Sequence, residues 1–388
     1  MSPTITFFPV DCGDMTLIRL GDAGATSILI DVNIRSAADD PEDTTRDVAR
    51  DLRVRLPRDG HGRPYVDAFL LSHPDKDHCT GLDKHFHLGP LEDYPDDRKP
   101  DGERKIVIKE IWSSPLVFRR ASKNHVLCPD AKAFNTEAKR RVQRFRDGTG
   151  GIDGERILVL GEDDDGKTDD LDSILVRVGQ QFDRVNGTRS SLFRARLLAP
   201  TVSGDADEEE FSKNDSSTVL NIQLAASSAR QDSCRLLTGG DAGVASWERI
   251  WRQHSQAPDE LAYDILLAPH HCSWHSLSYD SWSNLRERAK VAPDARSALG
   301  QARFGALVVA SSKPIRDDDA DPPCIRAKRE YLDVVSAASG IFLCTGEHPN
   351  TWAPEPLEFE VTAAGPRKKT ARSSAIASVA AVAAPRAG

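Results

Sequence analysis

The chain has 388 residues, 39% of them apolar and 29% charged, with a formal net charge of −9. That length suits two average domains or one large α/β domain, and the acidic balance argues against nucleic-acid affinity spread over the whole surface, leaving room only for a local basic strip. The apolar runs are too short to span a membrane, the opening MSPTITFFPVDCGD does not read as a signal peptide, and seven cysteines without paired spacing read as reduced thiols, so a cytoplasmic protein without membrane association is expected.

Strand-like runs at Thr4–Val10, Met15–Leu20 and Ser27–Val32, separated by Gly and Asp, predict a meander of hairpins. A helix is expected over Pro41–Leu56, then a buried strand over Tyr65–Ser72 and another over Arg104–Trp112. Ala131, Phe134, Ala138, Val142 and Phe145 fall on one face of a helix spanning Asp130–Arg146. Residues 148–215 carry Gly-rich and acidic runs and read as an irregular insertion, with strand candidates at Arg156–Leu160, Ile174–Val178 and Leu192–Leu198. Strands follow at Thr218–Leu224, Arg235–Leu237, Tyr263–Ala268, Ala306–Ala310, Ile341–Cys344 and Leu357–Val361, with helices at Ala242–His254 and Ile325–Ala338. Two series of strands, each followed by helices, predict an α/β (α+β) domain over 1–365, with two mixed sheets packed face to face and helices outside. From about Pro366 the composition becomes basic and Ala/Ser-rich, predicting a disordered tail over 366–388.

Chemistry concentrates where strands end. In LLSHPDKDHCTG (Leu70–Gly81) an apolar run stops at His73, Asp75, Asp77 and His78, four side chains able to bind a metal from one tight loop. The structural alternative is a polar loop in which Asp77 caps the next helix. Leu236–Asp241 ends a second apolar run in Thr-Gly-Gly-Asp, where Asp241 either bridges two ions or caps the helix after it. A third run ends in Ala-Pro-His270-His271-Cys272-Ser273. Three strand ends of one kind point to a site built at the ends of a sheet.

Taken together, Val10–Asp14, Ile28–Asp31, Ser72–His78, Leu197–Pro200, Asn214–Leu220, Leu237–Asp241 and His270–Ser273 resemble the successive blocks of a metallo-β-lactamase-fold hydrolase. The likeness is greatest to the soluble hydrolase domain of ComEC-type DNA-internalisation proteins, and it covers roughly residues 4–275. It implies a four-layer αββα sandwich. It also implies a dinuclear site, Zn2+ first and Mn2+ as the alternative, with His73 and Asp75 on one ion and Asp77, His78 and His270 on the other. Asp241 would bridge them, Asp31 would support the metal loop from behind, and His271 would either support a ligand from outside or donate a proton, the reverse order of His270 and His271 remaining open. His125 is the candidate third ligand of the first ion. Thr80 and Cys272 stand where glycines are expected.

The reaction implied is hydrolysis by a metal-bridging hydroxide that Asp77 orients, with His271 or His275 protonating the leaving group. A phosphodiester in a nucleic acid or nucleotide is the expected substrate, held by a basic strip of Lys139, Arg140, Arg141 and Arg144 beside Lys132 and Arg146. That strip reads equally as a solvated helix face. The alternatives are a thioester, lactone or amide bound in an apolar pocket of Trp112, Trp274 and Trp282, or a non-catalytic partner in a multi-protein system.

Overall fold

A computed structural model describes residues 2–40, 42–115, 127–163, 166–200 and 216–369. Two large mixed sheets carry almost all the strands. In the first, the order is Gly365–Lys368, Leu357–Thr362, Thr4–Phe7, Thr16–Arg19, Ser27–Ile30, Tyr65–Leu71, Ile106–Ser113, Arg156–Leu160 and Leu175–Val176, with Phe86–His87 also on Ile106–Ser113. The hairpin side is antiparallel, and from Ser27–Ile30 onward the strands run parallel. In the second, the order is Ile341–Cys344, Ala302–Ala310, Tyr263–Leu267, Cys234–Thr238, Val219–Leu224, Phe193–Ala199 and Gln181–Phe182, parallel among its first four strands.

Period-two alternation decides which residues go where. Ile28 and Ile30 of the first sheet join Leu220, Ile222, Leu224, Ile265 and Leu267 of the second in one apolar core. Their neighbours turn the other way: Leu29 packs with the helices Val48–Arg53, Leu82–His85 and Pro129–Arg146, and Leu237, Leu266 and Val308 pack with Val244–His254, Pro293–Leu299 and Ile325–Ala337. This mixed α/β arrangement is compatible with a sandwich.

Several expectations need correction. The helix expected over Pro41–Leu56 is only Val48–Arg53, because the side chains of Asp40 and Asp43 accept from the amides of Glu42 and Thr45 and close local turns instead. Within the stretch read as an irregular insertion, Arg156–Leu160 extends one sheet and Phe193–Ala199 sits inside the other, while residues 164–165 and 201–215 lie outside the described residues. The tail boundary at Pro366 falls inside the Gly365–Lys368 strand, which pairs with Leu357–Thr362; residues 370–388 lie outside the described residues. The helix Pro293–Leu299 was not anticipated, although Pro293 at its first turn is a starting signal. No helix among the described residues is long and apolar enough to cross a membrane.

Candidate metal centre

The parallel strands of both sheets end at one place. Asp31 follows Ser27–Ile30, and His73 to His78 follow Tyr65–Leu71. Asp241 follows Cys234–Thr238, and His270 and His271 follow Tyr263–Leu267. The Ser72 carbonyl accepts from the Thr218 amide at 2.9 Å, which joins the first sheet to the second beside the cluster. Close approach requires the two glycines before Asp241: a Cβ on Gly239 would meet Trp247 at 2.6 Å, and one on Gly240 would meet Ser72 Oγ at 2.8 Å. The capping explanations fail. The turn Lys76–Cys79 has Asp75 at its N-cap with no side-chain capping bond, and Gly243, not Asp241, caps Val244–His254.

Asp241 stands at the centre, and its two oxygens face different partners. Oδ1 lies 3.0 Å from His78 Nε2 and 3.4 Å from His271 Nε2. His271 Nε2 is also 3.3 Å from His78 Nε2 and 3.2 Å from Asp77 Oδ2. A tetrahedral ion with ligands near 2.1 Å needs donor atoms about 3.4 Å apart, so Asp77, His78, Asp241 and His271 have the spacing of one cation site. Oδ2 lies 3.4 Å from His73 Nε2 and 3.6 Å from His270 Nε2, and His73 Nε2 is 3.9 Å from Asp75 Oδ2, a wider set. His73, His78 and His271 are buried completely at the side chain, while Asp77 is 38% exposed, so the cluster opens to solvent on the aspartate side.

Outer carboxylates aim the imidazoles. Asp31 accepts from the Ser72 amide at 2.7 Å, from Ser72 Oγ at 2.6 Å and from His78 Nδ1 at 2.8 Å. Ser72 Oγ, having given its proton to Asp31, can accept from His73 Nδ1 at 3.1 Å. Both imidazoles then present Nε2 lone pairs to Asp241. Asp14 Oδ1 lies 3.4 Å from His271 Nδ1, an ion-pair contact that lacks hydrogen-bond geometry. His73 Nε2 and Asp241 Oδ1 are buried with no hydrogen bond of adequate geometry among the described residues. Such orphaned acceptors fit a cation, and without one the cluster recruits protons. Burial disfavours the His78 and His271 imidazolium ions, yet Asp241 with Asp31 raises His78 well above its ordinary value, and Asp241, Asp14 and Asp77 raise His271 to about 10. Burial likewise works against ionising Asp77 and Asp241. The His271 hydrogen bond and the neighbouring imidazoles nevertheless bring Asp77 down to about 2, and His78, His271 and His73 hold Asp241 well below the carboxylate range.

His73, Asp75, Asp77, His78, Asp241, His270, His271 and Asp31 therefore meet in space. Of the histidine pair, whose order the sequence leaves open, His271 sits against Asp77 and His78, and His270 sits on the His73 side. The cause is local. His270, His271 and Cys272 all take left-handed backbone angles, φ 50°, 54° and 68°, which rotate neighbouring side chains in a way neither helix nor strand periodicity describes. His125 lies outside the described residues. His275 is exposed, 3.7 Å from Asp321. Ser72 and Asp14 had no role in the sequence reading. Their only signals were Ser72's place between the strand and His73, and the Asp-Cys-Gly-Asp turn.

The basic strip needs correction. Arg141 is buried, bonded to Glu137 at 2.7 Å and to the carbonyls of Ile108, Lys109 and Arg156. Arg140 pairs with Glu137 and Glu155, Arg144 with Glu155, and Arg146 with Asp170, leaving Lys132 and Lys139 exposed. The end of this helix that touches the metal loop is Asp130, roughly 20 Å from Arg144 at 1.5 Å per residue. Nor do the tryptophans line a pocket: Trp112 is buried against Phe182 and Phe193 between the sheets, and Trp274 and Trp282 lie in the second sheet's helix-side core.

No family model matches the chain, and no curated protein does. Among solved structures, a mutant of CmlA beta-hydroxylase aligns at 11% identity and a TM-score of 0.35, over 88% of this chain and 52% of that one. This chain thus spans about half the length of that structure, and a likeness so distant carries no argument about fold or activity.

Proposed function

We propose that the chain is a metal-dependent hydrolase of metallo-β-lactamase type, an αββα sandwich holding two divalent ions. One ion would be held by Asp77, His78, His271 and Asp241 Oδ1, the other by His73, Asp75, His270 and Asp241 Oδ2. The observation that carries this reading is the division of Asp241, each oxygen turned to its own pair of imidazoles. The donor set of imidazole and carboxylate suits Zn2+, with Mn2+ as the alternative. Two such ions supply Lewis acidity and lower the pKa of water, giving a nucleophile at neutral pH. The chain's own part is to fix the donors. Asp31 and Ser72 orient His73 and His78, Asp14 faces His271, and the half-exposed Asp77 is the group placed to position a reacting water at the opening.

A phosphodiester in a nucleic acid or nucleotide is the proposed substrate, a choice that rests on the resemblance of the motif order to the ComEC-type domain. The basic helix lends that choice no support, because its arginines are already neutralised. Elemental analysis of the purified protein tests the site: two equivalents of metal are expected, falling to one or none in Asp241→Ala. Cleavage of DNA, RNA and cyclic dinucleotides tests the substrate. Two bound metals with turnover only of thioester, lactone or amide substrates would remove the phosphodiester proposal, and metal-free protein would remove the enzyme.

A further inference from the structure

Cys79, directly after the candidate ligand His78, has its sulfur 3.4 Å from that of Cys128. The two segments are clamped independently of the sulfurs, because Asp130 accepts from the amides of Gly81 and Asp83 at 3.1 and 2.9 Å. Forming a bond of about 2.05 Å asks the sulfurs to close by only about 1.4 Å. The pair is asymmetric. Cys79 is buried in the apolar core of the first sheet and faces the Asp75 carbonyl at 3.2 Å. Cys128 is half-buried and forms the N-cap of the 18-residue helix Pro129–Arg146, accepting from the Ala131 amide at 3.4 Å.

We propose that Cys79 and Cys128 are an oxidant-sensitive pair that closes to a disulfide behind the metal loop, with Cys128 reacting first with a peroxide and Cys79 resolving the product. The helix N-terminus favours a thiolate at Cys128, and its partial exposure gives access. The hydrogen bond from Cys79, with that of the Ala131 amide, outweighs burial and draws the Cys128 thiol to about 6, whereas burial pushes Cys12, Cys234, Cys272, Cys324 and Cys344 up. The chemistry balances. The Cys128 sulfur attacks one peroxide oxygen and breaks the O–O bond, giving a sulfenic acid and one water. Cys79 sulfur then attacks the sulfenic sulfur, forming the S–S bond and expelling the second water. The two thiols lose two electrons and two protons, and the peroxide is reduced to two waters. The bond ties the turn carrying Asp77 and His78 to the helix.

The test needs no metal and no substrate, so its failure is distinct from failure of the proposed hydrolase. The full chain is treated with hydrogen peroxide at equimolar concentration, its free thiols are alkylated, and it is digested with trypsin. The expected result is loss of two alkylatable thiols of the seven, and a linked species joining peptides 77–84 and 124–132. Cys79→Ser, having lost its resolving partner, should hold Cys128 as the sulfenic acid, trapped as its dimedone adduct. Because the link is read in the unmutated chain, the folding of a variant does not decide the outcome. Both cysteines recovered as free thiols, a link between any other pair, or a sulfenic Cys128 that persists in the unmutated chain would overturn the proposal.

Discussion

Asp31 governs the direction of two imidazoles at once, through His78 directly and through Ser72 to His73. Asp14 faces only His271, at a longer distance and without a hydrogen bond. Loss of such outer partners lowers metal affinity by about 10–100-fold. Asp14→Asn should therefore weaken binding by a factor within that range, and Asp31→Asn should weaken it more than Asp14→Asn does, as measured by competition with a chromogenic chelator. Equal effects would mean that the two carboxylates do not divide the histidines as described. The strand ends at Leu71, Thr238 and Leu267 were legible in the sequence because apolar alternation stops there and metal-capable side chains begin. The identity of the residue at each donor position was less legible. Consecutive left-handed residues at 270–272 exchange the places of two chemically identical side chains, and nothing in the letters records that twist.

At the scale of elements, the Pro129–Arg146 helix shows how charge misleads when its partners are distant in sequence. Arg141 is satisfied by Glu137 one turn earlier, which sequence shows, and by carbonyls of two strands, which it does not. Removing one partner of a buried ion pair costs about 3–5 kcal/mol, so Arg141→Met should destabilise the chain by that amount in urea unfolding, since Glu137 keeps only Arg140. Lys139→Ala, on the exposed face, should leave both stability and turnover unchanged. A fall in turnover would restore the basic strip as a substrate surface. At the turn before Asp241, Gly240 has φ 47° and Ser72 Oγ 2.8 Å from any added Cβ. Gly240→Ala should cost about 1–3 kcal/mol and displace Ser72, so its metal affinity should fall together with its stability.

For the whole molecule, the cluster sets a dependence on pH. Folded metal-free protein holds the His271 proton to about pH 10, while the unfolded chain releases it near the ordinary 6.5. That contribution to stability is complete below pH 6.5 and is lost as pH rises through 10. Asp77, at about 2 when folded against 3.8, contributes above pH 3.8 and loses its contribution as pH falls through 2. Chelator-treated protein should accordingly show its highest Tm between roughly pH 4 and 6.5 as far as these groups decide it. Metal binding needs the neutral imidazoles, so the rise in Tm on adding Zn2+ should grow from pH 6 to pH 9. A rise that shrinks over that range would contradict metal binding through His78 and His271.

The seam between the sheets has a further result. Neither half of the chain owns the cluster, since Asp14, Asp31 and His73 to His78 precede residue 200 while Asp241, His270 and His271 follow residue 216. The halves are also interlaced: Phe193–Ala199 completes the later sheet, and Leu357–Thr362 returns to lie against Thr4–Phe7 in the earlier one. A chain nicked between 200 and 216 should therefore stay assembled, and two separately expressed pieces should regain the ion only on mixing.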